Sequence, residues 1–155
     1  MKFLVPEAFC QFLEQLEVPI DALLAQAHLS GRLVDGQITL SPLEYYHLLA
    51  VSEPHISTKQ ILQACDVEQR TKFSTPVYAA LMAENGLACL QRLAKYKHLI
   101  GPVTMTVQDL GEQVAVHYVF IYPEMAQLQI AVLFEQLLAV NLVRTGSGKA
   151  VVPLK

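Results

Sequence analysis

Apolar positions recur at helical spacing through the first hundred residues, and then the period changes to two. A helix from Pro6 through Leu16 places Phe9, Leu13 and Leu16 on one face, with Pro6 at its first position. Val18-Pro19 breaks it, and Asp21 is expected to cap a short helix from Ala22 to Ala27. Leu29 to Leu40 carries Ser30-Gly31 and Asp35-Gly36, so it reads as a loop with room for one short extended piece. Ser41-Pro42-Leu43-Glu44 is a strong helix start: cap, first residue and reciprocal capping-box partner. That helix runs to about Ser52, and Pro54 stops it. Further helices are expected from Ser57 or Thr58 to about Cys65, from Thr75-Pro76 to about Ala83, and from Leu87 to Leu99 behind Asn85.

After Gly101-Pro102, Val103, Met105 and Val107 alternate with Thr104, Thr106 and Gln108. Beyond a turn at Asp109-Leu110-Gly111, Val114, Val116, Tyr118 and Phe120 alternate with Ala115, His117 and Val119. This pattern predicts an antiparallel hairpin, with His117 facing solvent. Pro123 then opens a long helix, Gly146 to Gly148 ends it, and Ala150 to Leu154 reads as a last short strand. The expected fold is α+β in one domain over 1–155: an N-terminal helical bundle, an antiparallel hairpin, a long helix and a final strand. The long helix is apolar on a second stripe as well, through Ile130, Leu133, Leu137, Val140 and Val143. Such a helix is buried on both sides, so it is expected to pack on the sheet and against another chain.

Composition sharpens that point. Hydrophobic residues make up 53% and charged residues 16%, against a usual ~25% charged. The excess reads either as an enlarged core or as apolar surface covered by a second subunit or another domain. Gln, Glu or Asn interrupt the apolar stretches short of the ~18–20 residues a bilayer needs, and the N-terminus lacks a continuous apolar signal region. A net charge of −3 and a pI near 5.9 leave no basic stripe for a phosphate backbone. Three widely spaced cysteines, Cys10, Cys65 and Cys89, fit a reducing cytoplasm.

Most chemical motifs fail at named positions. Thr145-Gly146-Ser147-Gly148-Lys149-Ala150 resembles the end of a phosphate loop, but Val143 stands where that motif needs Gly and Ala150 where it needs Ser or Thr. It reads as a helix-to-strand turn. His28, His47, His55, His98 and His117 show no metal-ligand spacing, so no metal is expected. No nucleophile motif occurs. Glu135 falls inside the apolar stretch of the long helix, where a carboxylate needs a salt bridge, a ligand or a dimer contact. Tyrosines offer an apolar body with a polar tip, which suits a pocket wall. The candidate ligand-binding residues are therefore Tyr46, Tyr78, Tyr96, His98, Tyr118 and Glu135.

Two stretches carry a resemblance. They are IDALLAQAHLSGRLVDGQITLSPLEYYHLLAVSE, with Pro-x-x-x-Tyr on its second helix, and FSTPVYAALMAENGLACLQRLAKYKHLIGP, which leads into the hairpin. With the hairpin and long helix they resemble the N-terminal effector domain of bacterial AraC-type transcription regulators, in the mostly helical version often labelled "arabinose-binding". Leu90 to Leu99 fills the slot of that family's Arg-Tyr-x-x-Leu motif. Two departures stand out: Thr71-Lys72-Phe73-Ser74 replaces the usual glycines, and no helix-turn-helix pair follows Lys155 in this sequence. The resemblance implies a cytoplasmic, ligand-sensing domain without a resident cofactor. It further implies a homodimer through the 123–145 helix and DNA contact only through a C-terminal domain. Two other readings stay open. One is a small cofactor-holding sensor or enzyme using Tyr96, His98 and Glu135; the other is a ligand-free dimerisation module.

Overall fold

The computed structural model describes residues Met1–Leu154. Its first element is a strand, β1 (Phe3–Val5), that pairs antiparallel with β3 (Gln37–Leu40) in the register Phe3↔Leu40 and Val5↔Ile38. β2 (Leu33–Val34) flanks β3 on its other side, giving the order β1-β3-β2. The β2–β3 turn is Asp35-Gly36, with φ of 51° and 78°. Two successive positive φ values make the tight hairpin turn that Asp-Gly favours. A Cβ on Gly36 would also lie 2.9 Å from Cγ of the exposed Glu7 side chain, which would have to swing aside; the positive φ is what favours glycine there. Its strands β2 and β3 occupy the stretch read from sequence as mostly loop. Strands of two to four residues are too short to display a period.

The helices follow in order. α1 (Glu7–Gln15) buries Cys10, and α2 (Ile20–Gln26) buries Ile20, Leu23 and Leu24. α2 starts two residues before the expected Ala22: Pro19 holds the cap position, and Asp21 sits in the first turn. Its charge there favours the helix dipole instead of capping an N–H. α3 (Pro42–Ser52) has its full capping box: Glu44 N donates to Ser41 Oγ at 3.3 Å, and Ser41 N donates to Glu44 Oε2 at 2.8 Å. Arg32 bonds the other oxygen of Glu44 at 2.8 Å, and this bond, with that from Ser41, holds the Glu44 carboxyl below its usual range.

α4 (Thr58–Ala64) repeats the capping box with Ser57 and Gln60, whose amide also donates to the Leu16 carbonyl at 3.0 Å. A four-residue α5 (Val67–Arg70), capped by Asp66, comes next and was not legible as a helix. α6 (Thr75–Leu81) and α7 (Gly86–Tyr96) follow, the latter capped by Asn85, which accepts from Ala88 N at 2.9 Å. A 3₁₀ turn over Lys97–Leu99 completes it.

The hairpin forms as expected. β4 (Val103–Asp109) and β5 (Val114–Phe120) pair with Met105↔Tyr118 and Val107↔Val116 on the inner face, while Thr106↔His117 looks outward. His117 is exposed. A 3₁₀ turn over Pro123–Gln127 precedes α8 (Gln129–Ser147), so the long helix begins later than Pro123. Gly148, with φ 67°, ends it in the left-handed conformation. The expected strand over Ala150 to Leu154 does not form. β4 and β5 make a two-stranded sheet, and Val151 instead gives its carbonyl to Arg144 Nε at 2.7 Å, which ties the segment to the end of α8.

Two apolar cores result. The N-terminal one joins α1, α2, α3 and β3 around Leu24, Ile38 and Leu40. The other joins α5 to α8 and the hairpin around Val77, Leu93, Met105 and Leu142. A smaller cluster of Ile61, Cys65 and Ile130 links α4 to α8, and Leu133, Phe134 and Leu137 pack against it. Much of the second apolar stripe of α8 is thus covered by its own chain. By length and mean hydropathy (1.2) α8 could cross a membrane, despite its interrupting Gln, Glu and Asn residues. In this fold it is the helix on which α4, α5, α6 and α7 all pack.

Replacing Ser41 by Ala removes the hydroxyl that accepts from Glu44 N. Equilibrium urea unfolding is expected to show a loss of about 1 kcal/mol with an unchanged denaturant slope. An unaltered midpoint would contradict the capping role.

Candidate functional site

Between the N-terminal core and the cluster that links α4 to α8 lies a cavity of about 400 Å³. Phe3, Leu13, Ile38 and Leu40 wall it on the N-terminal side, and Phe73, Ile100, Ile130 and Phe134 on the other. Most of the surface is apolar, and the polar side chains that reach it are few: Tyr45, Ser52, Arg70, Ser74, Thr75, Lys97 and Glu135. An apolar cavity with a handful of convergent polar groups is the usual form of a small-molecule site.

Each polar group has a local reason for its place. Lys97 stands in the 3₁₀ turn after α7, where the tightened turn directs it inward; it is 3% exposed and forms an ion pair with Glu135 from the middle of α8. The Tyr118 hydroxyl donates to the Glu135 backbone carbonyl at 3.1 Å, so the hairpin, the turn after α7 and α8 meet at one residue. Arg70 is the last residue of α5. Its Nε donates to the Ala64 carbonyl at 2.7 Å, and Asn141 Nδ2 donates to the Cys65 carbonyl at 3.1 Å, so two carbonyls at the end of α4 are satisfied from outside. The Arg70 guanidinium lies over the Phe9 ring at 4.5 Å and near Phe134 at 5.9 Å, while Phe9 stacks on Phe73 at 4.8 Å. Ser52 Oγ is used, donating to the Leu48 carbonyl at 2.6 Å. Ser74 Oγ is buried with no hydrogen-bond partner among the described residues.

Burial governs the protonation of this region. It pushes the Tyr45 phenol up to about 12, with the Glu135 charge adding to the rise and Arg70 opposing it. Tyr118 is raised further, by burial and then by Glu135. Burial also lifts Cys65 and Cys89 to about 11, and raises Cys10. All three thiols are buried and protonated at neutral pH, which makes them poor nucleophiles.

Of the six residues singled out from sequence, Glu135 alone lines the cavity; Tyr118 packs against the second core and touches only the Glu135 backbone. Tyr46 points elsewhere, toward Tyr122 (ring centroids 6.0 Å apart) and His47, and its neighbour Tyr45 takes the wall. Tyr78 is 52% exposed on α6. Tyr96 is half-buried beside the Lys95 ammonium, and His98 is exposed; the residue between them, Lys97, is the one turned inward. Adjacent helix positions differ by about 100°, so a choice that is off by one selects a different face. Arg70 carried no sequence signal, because α5 is too short to show a pattern, and Ser74 stands before α6 without making the cap bond that a serine there suggests. Among the described residues no three His, Cys, Asp or Glu side chains converge on a point. Comparison of the chain with protein-family models, curated proteins and solved structures finds no match.

Truncating one partner of the buried pair isolates the other. Lys97→Met is expected to destabilise the protein by about 3–5 kcal/mol, and adding Glu135→Leu to restore most of the loss. A double variant no more stable than Lys97→Met alone would rule out the charge as the cause.

The raised phenol and thiols set a pH dependence. A group whose pKa is raised by folding stabilises fully below its unfolded value and ceases to do so as pH passes its folded value. Stability should therefore hold to about pH 9, then fall as Cys65 and Cys89 titrate between 9.0 and about 11 and Tyr45 between 10.0 and about 12. Urea midpoints across this range should decline steadily; a flat profile to pH 12 would refute the assignment.

Proposed function

We propose that this chain is the ligand-sensing and dimerisation domain of a cytoplasmic AraC-type transcription regulator. On this reading it governs DNA binding by a domain joined to its C-terminal side. One observation carries the sensing half: the cavity between the N-terminal core and the α4–α8 cluster, whose far wall includes α8. A ligand there touches the N-terminal sheet and helices on one side and the middle of α8 on the other. Filling it favours the arrangement that holds both walls together, and α8 leads directly toward the C-terminal end of the chain. The coupling works only if the ligand binds the two arrangements differently, typically by ~1–3 kcal/mol.

The family half rests on the two sequence stretches described above, together with the helices, hairpin and long helix they lead into. The dimer half rests on that resemblance and on apolar surface left outside both cores. Val132 and Val140 of α8 are half-buried, and Val119 on the outer face of the hairpin is 64% exposed. The enzyme reading named Tyr96, His98 and Glu135, and of these Glu135 alone reaches the cavity.

A thermal-shift screen with metabolite-sized apolar and amphiphilic compounds is expected to find stabilising ligands. A compound at a hundred times its dissociation constant adds ~2.7 kcal/mol. Cavity-blocking Leu40→Trp, or Leu49→Trp on α3, whose side chain also lines the cavity, should abolish the shift. Sedimentation at high micromolar concentration should show a dimer. A screen without any stabilising compound would remove the sensing half, and a strict monomer the dimer half.

A further inference from the structure

The charges facing the cavity do not balance. Arg70 and Lys97 bring two cations, and Glu135 brings one anion. Lys97 and Glu135 are committed to each other as an ion pair. Arg70 has no carboxylate partner among the described residues: its hydrogen bond runs from Nε to the Ala64 carbonyl, and its guanidinium face rests on Phe9. A guanidinium carries five N–H donors in a planar fork and stays charged at all ordinary pH. One hydrogen bond and two rings, Phe9 and Phe134, leave most of that fork unspent beside an apolar cavity. The next polar group along the wall is Ser74, whose amide donates to the Arg70 carbonyl at 2.8 Å, and whose buried hydroxyl has no partner among the described residues. The turn closed by this bond thus places a half-buried cation without a carboxylate partner and an unsatisfied hydroxyl on the same wall, with aromatic and aliphatic side chains around them.

We propose that the cavity takes a monocarboxylate whose remaining body is apolar, with the carboxylate held by the Arg70 fork and the Ser74 hydroxyl. This rests on the sensing role proposed above and adds the ligand's chemistry to it. A carboxylate matches the guanidinium fork in shape as well as charge. It also supplies the one negative charge the lining lacks, and it satisfies Ser74. A neutral ligand leaves the guanidinium uncompensated, and a cationic one adds repulsion. The apolar body is required because, outside this corner and the closed Lys97–Glu135 pair, little polar wall remains.

The test uses the unmodified chain and three matched series below their micelle concentrations: straight-chain carboxylates from hexanoate to myristate, and the corresponding alcohols and amines. Thermal shift and calorimetry read the affinity. The best carboxylate should bind roughly tenfold or more tighter than its alcohol, from charge-assisted hydrogen bonds, and the amines weakest. Arg70→Gln should bring carboxylate affinity down to that of the alcohol while the alcohol is little affected. Ser74→Ala, which leaves Arg70 and the helices untouched, should remove part of the preference and supplies the answer if Arg70→Gln does not fold. Alcohols binding as well as carboxylates would overturn the anionic-head proposal and leave the sensing cavity standing. A carboxylate preference unchanged in Ser74→Ala and Arg70→Gln would also overturn it. Failure of all three series to bind would take down the proposal and weigh against the cavity reading with it.

Discussion

The Lys97–Glu135 pair is the constraint around which α7, the hairpin and α8 are arranged. Lys97 comes from the turn that closes α7, Glu135 from the middle of α8, and the carbonyl of Glu135 receives the hairpin through Tyr118. Two buried charges are stable only in each other's presence. They therefore hold the register of α8 against α7 at one point, where purely apolar packing would tolerate sliding. The same pair forms part of the cavity margin, so any molecule entering the cavity meets the element that positions the long helix.

The second organising device is the use of short polar bonds to close helix ends next to the cavity. Arg70 and Asn141 finish the exposed carbonyls of α4, and Gln60 reaches across to Leu16. These bonds keep the backbone of the linking region satisfied while its side chains remain apolar. They leave Arg70 with a guanidinium only partly used and Ser74 with a hydroxyl not used at all among the described residues. A buried hydroxyl left open like that of Ser74 is uncommon in a protein interior and calls for a partner such as a ligand or a water.

Much of the apolar excess in composition goes into the chain's own interior. Leu133, Phe134 and Leu137 of α8, which by pattern alone could face another chain, pack on the Ile61–Cys65–Ile130 cluster. What stays outside is scattered, as at Leu43, Met82, Leu99 and Val119. An amphipathic pattern reports how much of a helix is covered but not by which neighbour, since a second subunit and a distant segment of the same chain bury the same methyl groups.

Local signals in the sequence determined the elements that depend on local chemistry. The Ser41 and Ser57 helix starts, the Asn85 cap, the hairpin with its inner and outer faces, and the Gly148 stop all follow from bonds spanning a few residues or from strict alternation. The α+β class followed from their order. What depends on contacts distant in sequence was decided only by the tertiary structure. The β1–β3 ladder joins positions far apart in the chain, and its strands are too short to show a period. Ala150 to Leu154 has a strand-like composition and no ladder partner. The site divides in the same way. Glu135 was legible because a carboxylate in an apolar helix demands a partner. Lys97, Arg70, Ser74 and Tyr45 were not, because the direction of a side chain from a helix end or a single turn is set by how the helices dock, and a rotation of one residue separates Tyr45 from Tyr46 and Lys97 from Tyr96 and His98.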